Sequence, residues 1–78
     1  MEKKLIELGY RKFTPANADN TTAFMRSYKT FTVFAVKHPQ VNVEACMISF
    51  TFGKTEICLP NFYDIKWIET LHKDQTNP

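Results

Sequence analysis

The dipeptide Gly53-Lys54 joins two segments of strand-forming sequence, and this arrangement constrains the fold more than any other feature of the sequence. A two-residue connection with glycine in first place suits the tight turns whose twist matches that of paired strands. We therefore predict a hairpin between residues 43–52 and 55–59. The tight turn sets the register, because it places Phe52 opposite Thr55.

Side chains alternate between the two faces of a strand, so this register sorts the hairpin residues into two sets. It also pairs Phe50 with Ile57 and Ile48 with Leu59. The apolar set is Cys46, Ile48, Phe50, Phe52, Ile57 and Leu59. The mixed set is Val43, Ala45, Met47, Ser49, Thr51, Glu56 and Cys58. We expect the apolar set to face the core.

The segment after Tyr63 has the periodicity of an amphipathic helix. At about 100° per residue, the apolar side chains fall on one arc of that helix. The residues of this arc are Ile65, Trp67, Ile68, Leu71 and His72. Asp64 would interrupt the arc, so we assign it as the N-cap, whose carboxylate accepts hydrogen bonds from free amides. We expect this helix to pack across the apolar face of the hairpin.

The first half of the chain contains shorter elements. Residues 2–8 are good helix formers, and Gly9 follows in a position that commonly ends a helix. Residues 10–14 fit a short strand. Residues 28–36 are rich in β-branched and aromatic side chains and predict a longer strand. The segment 22–27 fits either a further strand or an irregular lead-in.

These elements predict a two-layer α+β domain. Helices at both ends flank an antiparallel meander of three to four strands, in the order α-β-β-β-α, with the C-terminal helix on one face of the sheet. Residues 15–20 are turn formers and predict a loop. At 78 residues there is room for one core. We place the domain at residues 1–73 and a disordered tail at 74–78.

Charge and hydropathy bear on the location of the chain. No apolar run approaches the length that spans a bilayer, and the N-terminal residues lack the long uncharged stretch of a signal peptide. We therefore expect a cytoplasmic protein with no membrane contact. The net charge of +2 is too small to specify a partner by itself.

Residues that often carry chemistry are present without the spacing that chemistry needs. Structural zinc sites usually draw their ligands in close pairs, and Cys46, Cys58, His38 and His72 contain no such pair. Cys58 with His72 as a base lacks a group to orient the histidine. Two glycines cannot build a phosphate-binding loop. We predict no metal, no cofactor and no enzymatic activity.

The strand predicted at 28–36 is apolar on both of its faces, whereas a sheet with one helical layer should be polar outside. An apolar surface left uncovered marks a contact with another protein. The residues that we predict for this partner surface are Tyr28, Phe31, Val33, Val43 and Met47. Alternatively, the N-terminal helix or the loop before residue 28 covers the second face.

Our leading hypothesis from the sequence is a small protein-binding, inhibitor or adaptor domain, with self-association as a homodimer through the uncovered face as one form of it. The size and the order of elements resemble those of many small accessory proteins of bacteria and their phages, some of which inhibit or adapt host proteins.

The alternative hypothesis is single-stranded nucleic-acid binding. Basic residues interleaved with exposed aromatic residues can follow a phosphate backbone and stack on bases. The candidate contacts are Arg11, Lys12, Arg26, Lys29 and Lys37. The sequence pI of about 8.6 gives this hypothesis only a weak electrostatic basis.

Overall fold

The computed structural model describes residues 1–16 and 21–77. Five strands form one antiparallel sheet in chain order, with a helix before and after it. The elements are α1 (Glu2–Glu7), β1 (Arg11–Phe13), β2 (Ala23–Ser27), β3 (Thr32–Lys37), β4 (Cys46–Phe52), β5 (Thr55–Tyr63) and α2 (Ile65–Thr76). The predicted α+β class and antiparallel sheet are confirmed, but the sheet has five strands rather than three to four.

The turn between β4 and β5 has the predicted geometry. Gly53 has a φ of +59°, a conformation that glycine adopts without the steric cost of a Cβ atom. Phe52 is opposite Thr55, and Phe50 is opposite Ile57. The prediction that Phe50 and Ile57 share a face of the sheet is therefore confirmed.

Further from the turn, the register of the hairpin differs from the prediction. It shifts between Met47 and Ser49, so the expected pairing of Ile48 with Leu59 is interrupted by a bulge in β5. Pro60 lies in this stretch and has no N–H to donate to a neighbouring strand. The shift is an even number of residues, so it leaves the assignment of side chains to faces intact.

A turn divides the segment that we predicted as one strand over residues 28–36. The Tyr28 N–H donates to the Phe31 carbonyl at 2.7 Å, and Ser27 is opposite Thr32. Residues 23–27 are consequently a strand of their own, which resolves the ambiguity over residues 22–27. The turn contains neither glycine nor proline, so the sequence alone predicts a continuous strand through it.

Helix α1 ends in a Schellman motif. Gly9, with a φ of +87°, donates its N–H to the Ile6 carbonyl at 3.0 Å, and Tyr10 donates to the Leu5 carbonyl at 3.0 Å. The hydrophobic contact that usually accompanies this motif is supplied by Leu5 and Tyr10, which are both buried. Gly9 thus ends the helix as predicted.

Helix α2 begins at the predicted cap, because the Trp67 N–H donates to the Asp64 carboxylate at 3.1 Å. Residues 74–76, which we predicted as part of a disordered tail, are helical. Pro78 lies outside the described residues, as does most of the predicted loop at 15–20.

One apolar cluster forms the core. Its fully or almost fully buried members are Leu5, Tyr10, Phe24, Val33, Ala35, Cys46, Ile48 and Ile68. We call the sheet face that carries Phe24, Val33, Ala35, Cys46 and Ile48 the inner face, and the opposite face the outer face. Leu5 of α1 and Ile68 of α2 belong to this cluster. The Trp67 ring centroid of α2 lies 4.4 Å from that of Tyr63.

Adjacent residues of β4 provide a test of this division into faces. Ile48 is fully buried, whereas Met47 is 42% exposed. We expect Ile48→Ala to lower the free energy of unfolding by about 2–5 kcal/mol, because it leaves a cavity in the core. Met47→Ala should cost less than about 1 kcal/mol. Urea denaturation measures both changes, and equal losses would contradict the assignment.

Candidate functional site

The structure distributes the five residues of the predicted partner surface over different surroundings. Val33 is fully buried on the inner face, opposite Phe50, so the prediction that it contacts a partner is wrong. Because the turn at residues 28–31 ends β2, the alternation of side chains in β3 is counted from the start of β3. This count places Val33 on the inner face. Tyr28 and Phe31 are half-buried against the core cluster. Of the five residues, only Met47 is an exposed side chain of the outer face.

Val43 does not belong to the sheet. It lies in the connection before β4, where its N–H donates to the Gln40 carbonyl at 3.1 Å, and its side chain is half-buried. A strand that we predicted to begin at residue 43 begins instead at Cys46. Val43 therefore has no position in the alternation that we used to place it beside Met47.

The outer face carries an apolar row that crosses all five strands. The pairings place these residues opposite one another in succession, and they are Phe13, Ala23, Val36, Met47 and Phe62. Met47 is 42% exposed and Phe62 is 41% exposed, while Ala23 is fully buried. The exposed part of this row therefore lies on β4 and β5.

Aromatic contacts support the row at its two ends. The His38 ring lies against Phe62, with centroids 4.5 Å apart, and the Gln40 N–H donates to His38 Nδ1 at 3.1 Å. At the other end, Phe13 makes an edge contact with Phe34, with centroids 6.3 Å apart. These contacts hold the large side chains of the outer face in defined positions.

A cleft adjoins the row where β3 ends. Its volume is about 530 Å³, and its lining residues are Thr21, Thr22, Val36, Lys37, His38, Pro39 and Val41. Val36 belongs to both the row and the cleft, and His38 packs against Phe62. The row therefore continues into a concave region with hydroxyl groups on its wall.

The five basic residues of the nucleic-acid hypothesis do not form one surface. Arg11 and Lys12 are neighbours on β1, so their side chains point to opposite faces, and Lys12 pairs with Glu2 at 3.2 Å. Arg26 is half-buried and hydrogen-bonded within the domain. Lys29 lies in the turn after β2, and Lys37 ends β3. A continuous phosphate-binding track is not formed by these side chains.

A polar cluster that sequence reasoning missed lies on the inner side of the sheet. We define the Arg26 cluster as Arg26, Tyr28, Tyr10 and His72. Arg26 Nη1 donates to the Leu8 carbonyl, and it lies 2.9 Å from Nδ1 and 3.4 Å from Nε2 of His72. The Tyr28 hydroxyl lies 3.1 Å from His72 Nδ1 and 2.8 Å from the Tyr10 hydroxyl.

The Arg26 cluster connects three parts of the fold. Arg26 belongs to β2, Leu8 ends α1, and His72 lies in the second half of α2. The guanidinium carbon of Arg26 is 4.9 Å from the centroid of the Tyr28 ring, within the range of a cation–π contact. The position of His72 in the apolar arc of α2 was the one sequence signal for this cluster.

The environment of the Arg26 cluster favours uncharged tyrosine and histidine side chains. Burial and the hydrogen bond to Tyr28 raise the pKa of Tyr10 far above its ordinary value. Burial also raises the pKa of Tyr28, although Arg26 opposes this effect. Burial, followed by the positive charge of Arg26, lowers the pKa of His72. The cluster therefore holds one permanent charge among three neutral groups near pH 7.

The two cysteines lie on opposite faces, as predicted. Cys46 is buried, and burial raises the pKa of its thiol to about 11. Cys58 is exposed, and its hydrogen bond to Glu56 raises the pKa of its thiol. His72, considered above as a base for Cys58, belongs instead to the Arg26 cluster. Within residues 1–16 and 21–77, no three potential metal ligands come together.

Comparison of the chain with protein-family models, with curated proteins and with solved structures finds no match. In the described part of the chain, neither helix has the length and apolarity needed to cross a membrane.

Two arginines on neighbouring strands test whether the Arg26 cluster stabilises the fold. We expect Arg26→Gln to lower the free energy of unfolding by about 1.5–3 kcal/mol, the usual worth of hydrogen bonds to a charged group. Arg11 is exposed, so Arg11→Gln should change it by no more than about 0.5 kcal/mol. Chemical denaturation of the two variants measures the difference. Similar values would show that the Arg26 contacts are energetically unimportant.

Proposed function

We propose that the protein is a small, non-enzymatic binding domain that contacts another protein through the outer face of its sheet. The observation that supports this proposal is the apolar row, in which Met47 and Phe62 lie side by side and are both more than 40% exposed. Large apolar side chains in such a position cost stability in water and gain it in contact with a partner.

The arrangement of helical contacts supports the choice of face. Leu5, Ile68 and the Arg26 cluster all belong to the inner side, and we propose that α2 packs across it together with α1. An antiparallel sheet covered on one face usually has polar side chains on the other. The outer row departs from this pattern where it crosses β4 and β5.

The composition of the row suits a protein interface. Aromatic residues and methionine are enriched in interfaces, and anchors usually lie beside pockets. Met47 and Phe62 supply such anchors, and the cleft beside Val36 supplies a recess next to them. Among the described strand residues, the exposed charges on this face are Arg11 and Glu56, which lie on the two opposite edge strands.

Several forms of this function share the same surface. An inhibitor, an adaptor and a self-associating protein would each cover the apolar row, and a cytoplasmic partner is part of the proposal. The raised pKa values of the Cys58 thiol and of Tyr10 favour their protonated forms, which are poor nucleophiles and bases.

Matched charge substitutions test the proposal. Met47→Glu and Phe62→Glu alter the outer row, whereas Ile57→Glu alters a residue of similar exposure, 48%, on the inner-face side of β5. We expect the first two variants to weaken partner binding by at least about tenfold, the effect of losing an interface anchor, and to melt cooperatively. Ile57→Glu should bind as the wild type does.

The partner is first isolated by affinity capture from cells that make the protein, and the purified partner is then titrated against each variant. Sizing in solution at several concentrations detects self-association in the same set of proteins. Unchanged binding by both outer-face variants would refute the proposal. An equal loss of binding by Ile57→Glu would also refute it, because the effect would then not depend on the face.

A further inference from the structure

In the second half of α2, Leu71 is packed against the core cluster, and the residues after His72 are exposed. From Lys73 to Thr76 every side chain is exposed, while Leu71 and His72 are half-buried. Thr76 donates its hydroxyl hydrogen bond to the His72 carbonyl, within the helix itself. Among the hydrogen bonds of the described residues, those of His72 are the last along the helix that join one of its side chains to another element.

The surroundings of His72 favour the neutral imidazole ring. Arg26 Nη1 lies 2.9 Å from Nδ1 and 3.4 Å from Nε2 of His72, so it sits over the imidazole ring rather than on the lone-pair axis of either nitrogen. The Tyr28 hydroxyl lies 3.1 Å from Nδ1 and 2.8 Å from the Tyr10 hydroxyl. In the tautomer with the proton on Nε2, Nδ1 accepts from Tyr28, and the Tyr28 oxygen is free to accept from Tyr10.

A proton added at Nδ1 removes this arrangement. Nδ1 can then no longer accept a hydrogen bond from the Tyr28 hydroxyl. The imidazolium and the guanidinium of Arg26, whose Nη1 atom lies 2.9 Å from Nδ1, then both carry positive charge and repel each other. Because Arg26 is also hydrogen-bonded to Leu8, it has little freedom to move away.

We propose that His72 is a pH-sensitive switch that, when neutral, holds the second half of α2 against Arg26 and Tyr28 and, when protonated, releases it. The first half of the helix remains in place, because Asp64 caps it, Trp67 stacks on Tyr63 and Ile68 is fully buried. Release exposes the ring of Tyr28 and the guanidinium of Arg26.

The charged and titratable groups around His72 favour this response. Arg26 faces it from β2, Tyr28 from the turn after β2, and Tyr10 acts through Tyr28. On α2 itself, Glu69 and Lys73 are neighbours in sequence and carry opposite charges. None of the ion pairs among residues 1–16 and 21–77 includes His72, so within these residues no carboxylate is paired with His72 against the positive charge of Arg26.

The direction of the pH effect follows from the lowered pKa of His72. Above the ordinary histidine value of about 6.5 the ring is neutral in both the held and the released helix, so the contact is fully present. As the pH falls through this value, the released form takes up a proton first and is favoured. The loss continues until the pH reaches the lower pKa of the held form.

The two histidines of the chain allow a matched experiment. NMR measures the pH titration of each imidazole and the amide exchange protection of residues 71–76, corrected for intrinsic rates, between pH 7.5 and 4.5. One linked proton lowers protection by at most about tenfold per pH unit. We expect such a decrease in the wild type, with residues 46–52 of β4 unaffected over the same range.

His72→Asn places an uncharged acceptor near the position of Nδ1 and should abolish the pH dependence, whereas His38→Asn should retain it. A titration of His72 at or above the ordinary histidine value would overturn the proposal. A pH response of residues 71–76 that persists in His72→Asn would also overturn it. The titration of the wild type decides the question even where a variant folds poorly, and no partner protein is needed for any of these measurements.

Discussion

The register of the meander determines which side chains are inside this domain. The central strands β3 and β4 contribute alternate residues to the buried cluster, and the cross-strand pairs align Phe24, Ala35 and Ile48 on one face. A slip of one residue in any pair would move a whole strand's apolar side chains to the other face. The tight turn at Gly53 and the turn at residues 28–31 fix two of these registers. The core thus depends on where the chain turns.

The accuracy of the sequence-based predictions follows the clarity of the turn signals. The β4–β5 hairpin was predicted because glycine marks its turn, and α2 because Asp64 interrupts an apolar arc. The turn at residues 28–31 was missed because Tyr28 and Phe31 are themselves strand formers. As a result, one of the five strands was not predicted as a separate element. The bulge near Pro60 was also missed, since strand alternation contains no information about a shift of two residues.

The same reasons explain what could be predicted of the candidate site. Met47 was placed on the outer face because its position in the strand alternation can be counted back from the Gly53 turn. Val33 was misplaced because its alternation had to be counted from a turn that the sequence does not mark. The Arg26 cluster could not be predicted, because it joins residues that are 46 positions apart in sequence and a main-chain carbonyl at the end of α1. No periodic pattern records such contacts.

The alternation of side chains also separates the two properties that we assign to this sheet. Met47 and Ile48 are adjacent in sequence, yet one lies in the exposed row and the other in the core. A partner surface on the outer face can therefore change in shape or charge while the inner cluster continues to hold the fold. The Arg26 cluster belongs wholly to the inner side, so movement of the second half of α2 leaves the outer row in place. Binding and the response to pH are thus expected to be independent, because the sheet lies between the residues responsible for each.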